Sequence, residues 1–288
     1  MIEINIIQRN KLNAEQTNQI RDLEKICQEY DGLKRLVFLS NEINFDQKID
    51  CFYLLYEEDR LIAFLSLFIP LAEEAEVSAY TLPECRERGY FTLLFMKAAE
   101  ELKKYKIYKI LFVHEPSCTD AKRVLEAVHA NYAYSEYLLT FDRAGYQKCG
   151  GALTLKLSES EDIPDVAALD SQLFGNDYGE SVSIVTKSVN SPTIKAYSAL
   201  LGSERIGLCN ANMEGGNVSI FGVGISPAYQ GKGYGREMLN RLLEQLMHES
   251  GEISLEVSSS NGIAYHLYIT SGFQIKTQFD YDLLMLPV

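Results

Sequence analysis

The chain repeats itself, and that repeat limits its fold more than any other feature. Asp59-Arg60-Leu61-Ile62-Ala63-Phe64 aligns with Ser203-Glu204-Arg205-Ile206-Gly207-Leu208, an offset of 206 − 62 = 144 residues. The same offset pairs Pro83 with Pro227, Arg86 with Gln230, and Gly89-Tyr90 with Gly233-Tyr234. It goes on to pair Leu102 with Leu246, Leu111 with Leu255, Val113 with Val257 and Tyr137 with Tyr281. An offset that holds through proline and glycine punctuation over this span marks a duplicated domain. The chain therefore reads as two α/β domains of similar size, 1–145 and 146–288. The seam falls near Arg143 to Ala152, where Gly145, Gly150 and Gly151 form a short polar link. So short a link leads us to expect the halves to pack together.

Within each copy the pattern reads strand, helix, several strands, helix, strand, helix and terminal strands. In the second copy Ala152 to Leu157 alternates as a strand, and Ser158 to Phe174 reads as a helix with Pro164 in its first turn. Ile194 to Leu201 and Arg205 to Met213 are strands joined by a turn at Gly202-Ser203, and Val218 to Ile225 is a third strand stopped by Pro227. From Gly233 the period changes. Met238, Leu239, Leu242, Leu243, Leu246 and Met247 recur at helical spacing and form one core-facing stripe. Ile253 to Val257 is a central strand, and Ala264 to Thr270 is a helix ended by Gly272.

Composition removes several function classes. Twenty-seven Lys and Arg against 40 Asp and Glu give a net charge of −13, which argues against nucleic acid, since phosphate binding needs a basic face. The longest apolar run, Leu61 to Ile69, is broken by Ser66 and followed by Pro70, so it reads as a buried strand and not a membrane span. Met1-Ile2-Glu3-Ile4 lacks the basic and apolar regions of a secretory signal, and a cytoplasmic protein is expected. The six cysteines (27, 51, 85, 118, 149 and 209) form no Cys-x-x-Cys pair, and the four histidines show no ligand spacing. Free thiols and no metal site are the expectation.

The most informative segment is Val223-Gly224-Ile225-Ser226-Pro227-Ala228-Tyr229-Gln230-Gly231-Lys232-Gly233-Tyr234-Gly235-Arg236, which joins a strand to a long helix. Glycines let backbone N–H groups approach a ligand, and the helix N-terminus adds partial positive charge. Together they suit a pyrophosphate, with Lys232 and Arg236 as nearby cations. A P-loop would need Ser or Thr after the lysine, where Gly233 stands. A dinucleotide fingerprint would need Gly-x-Gly-x-x-Gly, but Gly231, Gly233 and Gly235 are spaced differently.

Gln-x-x-Gly-x-Gly after a strand ending in Val-x-Ile-x-Pro resembles the acyl-coenzyme A motif of the GCN5-related N-acetyltransferase superfamily. Asn261 to Phe273 is similar to the family's Asn-x-x-Ala-x-x-Leu-Tyr-x-x-x-Gly-Phe segment. The resemblance covers most of the second copy and, more weakly, the first. It implies tandem domains, each a mixed, mostly antiparallel sheet with a splayed central strand flanked by helices. It implies acetyl-CoA as acyl donor and a small-molecule or peptide amine as acceptor. Backbone groups of Val223 and Ile225 would pair with the pantetheine arm. Gln230, Gly231, Lys232, Gly233, Tyr234, Gly235 and Arg236 would hold the pyrophosphate, and Asn261 would contact the arm from the far side. Tyr268 would protonate the departing thiolate.

Acetyl transfer to an amine needs a base for the amine, donors for the oxyanion and an acid for the sulfur. Tyr268 suits the acid role, because a phenol of ordinary pKa ~10 is protonated at neutral pH. The strand Val218 to Gly222 carries no carboxylate, so Glu256 is the best base, 268 − 256 = 12 residues before Tyr268. That arrangement is similar to the protein N-terminal alanine acetyltransferase branch. A strand glutamate facing solvent is the competing reading of Glu256. The first copy has Glu87 for Gly231, Phe91 for Gly235, Val124 for Tyr268 and Ser117 for Asn261. It reads as a degenerate copy, a scaffold, interface or part of the acceptor pocket, with Glu76 on its pre-loop strand lacking an acid partner. A coenzyme A-binding sensor without turnover is the alternative from another class. A tandem enzyme like mycothiol synthase is a third reading.

Overall fold

The computed structural model describes residues 4–146, 148, 150–248 and 251–287. In chain order the first elements are β1 (Ile4–Arg9), α1 (Ala14–Asp31), β2 (Phe52–Glu57), β3 (Arg60–Phe68), β4 (Glu74–Thr81), α2 (Tyr90–Lys104), β5 (Lys109–His114), α3 (Thr119–Ala127) and β6 (Asn131–Phe141). There follow β7 (Leu153–Leu157), α4 (Ile163–Phe174), α5 (Tyr178–Asn190), β8 (Ile194–Leu201), β9 (Glu204–Glu214), β10 (Asn217–Ile225), α6 (Tyr234–Leu246), β11 (Ile253–Ser258), α7 (Gly262–Thr270) and β12 (Phe273–Met285).

Two compact units emerge, one from 1–135 with 277–288, the other from 136–276. In the first unit the strand order is β1-β2-β3-β4-β5-β12, antiparallel except for the parallel pair β4–β5. In the second it is β6-β11-β10-β9-β8-β7, antiparallel except for β10–β11. The last strand of each unit comes from the other half of the sequence. β12 pairs with β5 from Asp280↔His114 to Met285↔Lys109, and β6 pairs with β11 from Glu136↔Ser258 to Thr140↔Ser254. Compactness thus follows strand pairing and not the sequence midpoint. The stretch from Arg143 to Ala152 belongs to the second unit, where Arg143 donates to the Met247 and Gly251 carbonyls at 2.9 and 2.6 Å.

The stripe on α6 is core: Met238, Leu239, Leu242, Leu243 and Leu246 are all buried against β9, β10 and β11. At roughly 1.5–3 kcal/mol for each fully buried side chain, this face is a principal source of the unit's stability. The duplicated positions carry the same burden in both copies, since Leu102, Leu246, Leu111 and Leu255 are all buried.

The order of elements departs from the sequence reading in the second unit. Between Phe174 and Ile194, where the sequence reading places no element, lies the 13-residue helix α5. Asp177 caps it by accepting from the Glu180 amide at 2.9 Å, and Val182, Val185 and Val189 pack toward α4. Its Val, Ile and Thr residues have weak helix propensity, so packing and the cap determine the helix. The first unit has no counterpart: residues 33–51 follow α1 without helix or strand. Buried carboxylates hold this segment in place. Glu24 accepts from the Val37 amide at 2.6 Å, and Glu115 accepts from the Lys34 and Arg35 amides at 2.5 and 2.8 Å. Burial pushes the Glu24 carboxyl up, against the pull of Arg21.

Among the described residues Cys27, Cys51, Cys85, Cys118 and Cys209 are free thiols, and Cys149 lies outside them. Burial pushes the Cys27 thiol up to about 11 and the Cys209 thiol to about 12, so both are packing residues at neutral pH. No helix among the described residues is long and apolar enough to cross a membrane, and no cluster of three metal-ligating side chains occurs among them.

Candidate acyl-donor cleft

Each unit opens a cleft in its sheet where the parallel pair parts. β10 and β11 pair at Val218↔Ile253, Ser219↔Ser254 and Ile220↔Leu255 only, while β10 continues along β9 to Ile225↔Gly207. The β9–β10 register shifts between Phe221 and Gly224, a bulge that exposes backbone groups beside the parting strands. Gly222 makes it possible: its φ is 57°, and a Cβ there would lie 2.8 Å from the Asn210 amide nitrogen. In the first unit β4 leaves β5 after Val77↔Phe112 but follows β3 to Thr81↔Ala63 without a shift.

The loops at the open end match closely in backbone. Ser226 and Leu82 have φ −47° with ψ 135° and 134°, and each precedes a 3-10 turn begun by Pro227 or Pro83. Gln230 (φ −67°, ψ 159°) matches Arg86 (φ −66°, ψ 164°), and Gly233 (φ 86°) matches Gly89 (φ 81°). Gln230 Nε2 donates to the Ile225 carbonyl at 2.8 Å, and Arg86 Nε donates to the Thr81 carbonyl at 3.1 Å, the same bond under the 144-residue offset. Lys232 Nζ reaches the Ala228 carbonyl at 2.9 Å, as Arg88 reaches that of Glu84 at 3.1 Å. Gln230 and Lys232, both expected at the pyrophosphate, thus brace the loop in this structure. Arg236 donates to Thr270 Oγ1 at 2.8 Å and so ties α6 to α7.

What fills the matched loops differs. Gly231 and Gly233 have φ of 72° and 86°, and a Cβ on either would meet nothing within 4 Å. The first backbone bond of α6 runs from the Glu237 amide to the Gly233 carbonyl at 3.1 Å, which leaves the Tyr234, Gly235 and Arg236 amides as first-turn donors. Open space over left-handed glycines, faced by free N–H groups, fits a diphosphate. In the first unit Glu87 occupies the Gly231 position with φ 63°, at a backbone cost of about 1–2 kcal/mol for a non-glycine residue. Its carboxylate pairs with Arg123 at 2.7 Å.

Arg86 is engaged as well, with Asp31 at 2.8 and 2.6 Å and Asp120 at 2.8 Å, and these carboxylates push its pKa further up. Phe91, at the Gly235 position, packs on Phe95 and Phe112 with ring centroids 5.7 and 6.3 Å away. A cavity of ≈ 470 Å³ lies along this cleft, bounded by β4, β5, α3 and the 33–37 segment. This cavity lies in the first unit, whereas Tyr268 and Glu256 lie in the second.

In the second unit Tyr268 lies on α7 in the same core cluster as Leu255 and Val257, with its ring 6.0 Å from Phe273. Among the described residues its hydroxyl has no partner within the chain. Burial, and then Cys209, push its phenol up to about 12. Glu256 alternates with Leu255 and Val257 along β11 and is exposed on the opposite face, opposite Leu138 of β6. The expected acid and base thus take opposite faces of one strand. Asn261 caps α7, its Oδ1 accepting from the Ala264 amide at 3.1 Å. Val223 lies inside the bulge, and the Ile225 carbonyl is the one braced by Gln230. The sequence reading missed the Asn210–Gly222 bulge and the Asp31–Arg86–Asp120 clamp. Glycine spacing hinted at the first, but the clamp joins positions up to 89 residues apart (120 − 31).

Comparison with known proteins places this geometry in a family. The model described as Acetyltransferase (GNAT) family matches residues 17–129 and 165–273, one stretch in each copy. N-alpha-acetyltransferase RimI of Mycobacterium tuberculosis (strain ATCC 25618 / H37Rv) is 31% identical over 128 residues, 43% of this chain and 77% of that protein. A GCN5-related N-acetyltransferase from Sphaerobacter thermophilus shares the fold at a TM-score of 0.73 and 15% identity, covering 98% of this chain and 95% of its own. A tandem GNAT protein from the clavulanic acid biosynthesis pathway does so at 0.73 and 14% identity, covering 99% of each chain. With one match in each half, the chain belongs to the acetyltransferase (GNAT) family as a tandem-domain member.

Proposed function

We propose that the chain transfers an acetyl group from acetyl-CoA to a primary amine, with the working site in the second unit. The observation that carries this reading is the glycine cradle: Gly231 and Gly233 in left-handed conformation, open space above them, and three first-turn amides behind. The first unit has the same backbone, with a carboxylate and a phenylalanine in that space. It is read as the degenerate copy.

Backbone groups of Val223 and Ile225 line the path of the pantetheine arm, and Asn261 flanks it from α7. An amide at the bulge faces the thioester oxygen and stabilises charge that develops there. The amine nitrogen forms its bond to the acetyl carbon as the carbon–sulfur bond breaks. Glu256 lies on the face of β11 opposite Tyr268, so it accepts the amine proton through water and not directly. Tyr268 faces the sulfur. With its phenol at about 12 and an ordinary thiol near ~8.5, full proton transfer from tyrosine would run uphill. Tyr268 therefore acts by donating a hydrogen bond to the developing thiolate.

The test is thiol release from acetyl-CoA across a panel of peptides, polyamines, aminosugars and amino acids. Amine-dependent release is the expected result. Tight CoA binding without release for any amine would make the chain a CoA-binding sensor and overturn the reading.

A further inference from the structure

The cavity of the first unit lies where a donor cleft would be, but its chemistry differs from that of a phosphate site. Its lining holds four carboxylates, Asp31, Glu87, Glu115 and Asp120, against three guanidinium groups, Arg35, Arg86 and Arg123. Arg86 directs four of its five N–H groups to chain acceptors: Nε to Thr81, two to Asp31 and one to Asp120. Arg123 is divided between Glu87 and Asp120. The lining is thus one negative charge in excess, and its guanidinium groups are engaged, Arg35 Nη1 with Ser78 Oγ at 2.7 Å and the other two with carboxylates.

Farther in, the walls are Val77, Ala79, Phe91, Phe112, Val124 and Leu125. Two polar groups beside them are engaged within the chain. Tyr80 donates to the Arg35 carbonyl at 3.2 Å, and Glu115 accepts from two amides and from Thr277 Oγ1 at 2.6 Å. At ≈ 470 Å³ the space is within the ~300–1,000 Å³ range of small-molecule sites.

We infer that the first unit has become a second binding site, for an apolar small molecule that carries no phosphate and is uncharged or singly cationic. Apolar walls supply the affinity, and the unbalanced carboxylate in the lining excludes anions. The inference is independent of acetyl transfer and rests on the proposed function only where CoA serves to fill the second unit.

The probe is 1-aminoanthracene, uncharged at neutral pH, titrated into the full chain under saturating CoA and read by fluorescence. We expect CoA to saturate at one per chain and the probe to bind at one further site. Anionic 8-anilinonaphthalene-1-sulfonate should not displace it. Ala79→Trp and Val124→Trp, at positions that border the cavity, should each weaken the probe at least tenfold while leaving CoA stoichiometry at one. Displacement of the probe by CoA, two CoA per chain, or tryptophan variants with unaltered probe affinity would each overturn the inference. Should a tryptophan variant melt early, competition on the unaltered chain still decides. If no CoA binds anywhere, the proposed function fails while the probe and the variants continue to test this site.

Discussion

The loops at Gln230 and Arg86 have one backbone and two chemistries. Their torsions agree within a few degrees at the residue after the 3-10 turn, and the same side-chain brace ties each to the end of its strand. The first nevertheless presents glycines and free amides, the second Glu87, Phe91 and paired guanidinium groups. Loop shape is set by brace and turn, whereas ligand choice is set by what projects into the space. A duplicated domain can therefore change what lines its loop while keeping the loop's backbone.

The most severe way to break this comparison is to give the second unit the first unit's residues. Gly231→Glu with Gly235→Phe should weaken CoA binding by about 1,000-fold, or roughly 4 kcal/mol, in a calorimetric titration. Thermal stability should fall by no more than the left-handed backbone cost of about 1–2 kcal/mol, since Glu87 shows that the backbone accepts a side chain there. An unchanged CoA affinity would remove the pyrophosphate cradle from the loop.

Next in size is Tyr268→Phe, which deletes the hydroxyl that the first unit lacks at Val124. We expect kcat to fall ~10–100-fold with little change in KM, as for loss of one transition-state donor. With the phenol pushed up to about 12, the loss should be constant from pH 6 to 10. A defect that disappears within that range would mean that Tyr268 acts through its ionisation.

How much of this was legible in the sequence depends on the range of the interaction. The repeat, the cradle glycines and the α6 stripe followed from local spacing and a constant offset, whereas the splayed sheet was implied by the family resemblance. Helix α5 was obscured by β-branched residues of weak propensity and required the Asp177 cap and tertiary packing. The exchange of β6 and β12 could not be read, because a strand's pattern gives its faces and not its partner. In the candidate site the residue types were legible. Their orientation was not: Gln230 and Lys232 brace the loop, and Glu256 and Tyr268 take opposite faces.

The clamp offers a smaller test of the same contrast. Asp31→Ala leaves Arg86 with Asp120 alone and should cost the first unit about 2 kcal/mol in thermal unfolding, since the pair is half-shielded from water. Hydrogen bonds from Arg123, and then from Arg86, hold the Asp120 carboxyl below its usual range. A depressed folded pKa contributes stability above the unfolded value of ~3.9, and that stability is lost as pH falls through the folded value. Melts from pH 7 to 3 should show this loss below about pH 4, and Asp120→Asn should flatten that limb.

The smallest effect is the most diagnostic for the backbone. Glu87→Gly releases a left-handed glutamate, a gain of about 1–2 kcal/mol. It also removes an exposed ion pair worth ~0–1 kcal/mol and adds glycine entropy of ~0.5–1 kcal/mol to the unfolded chain. The net should be within about 1 kcal/mol of zero, a thermal shift of no more than ~2–8 °C. Gly231→Ala in the second unit incurs the left-handed cost with no ion pair in return and should always be the more destabilising of the two. If Glu87→Gly were instead the worse, the matched torsions of the two loops would have different causes, and Arg123 would be what holds the first one in shape.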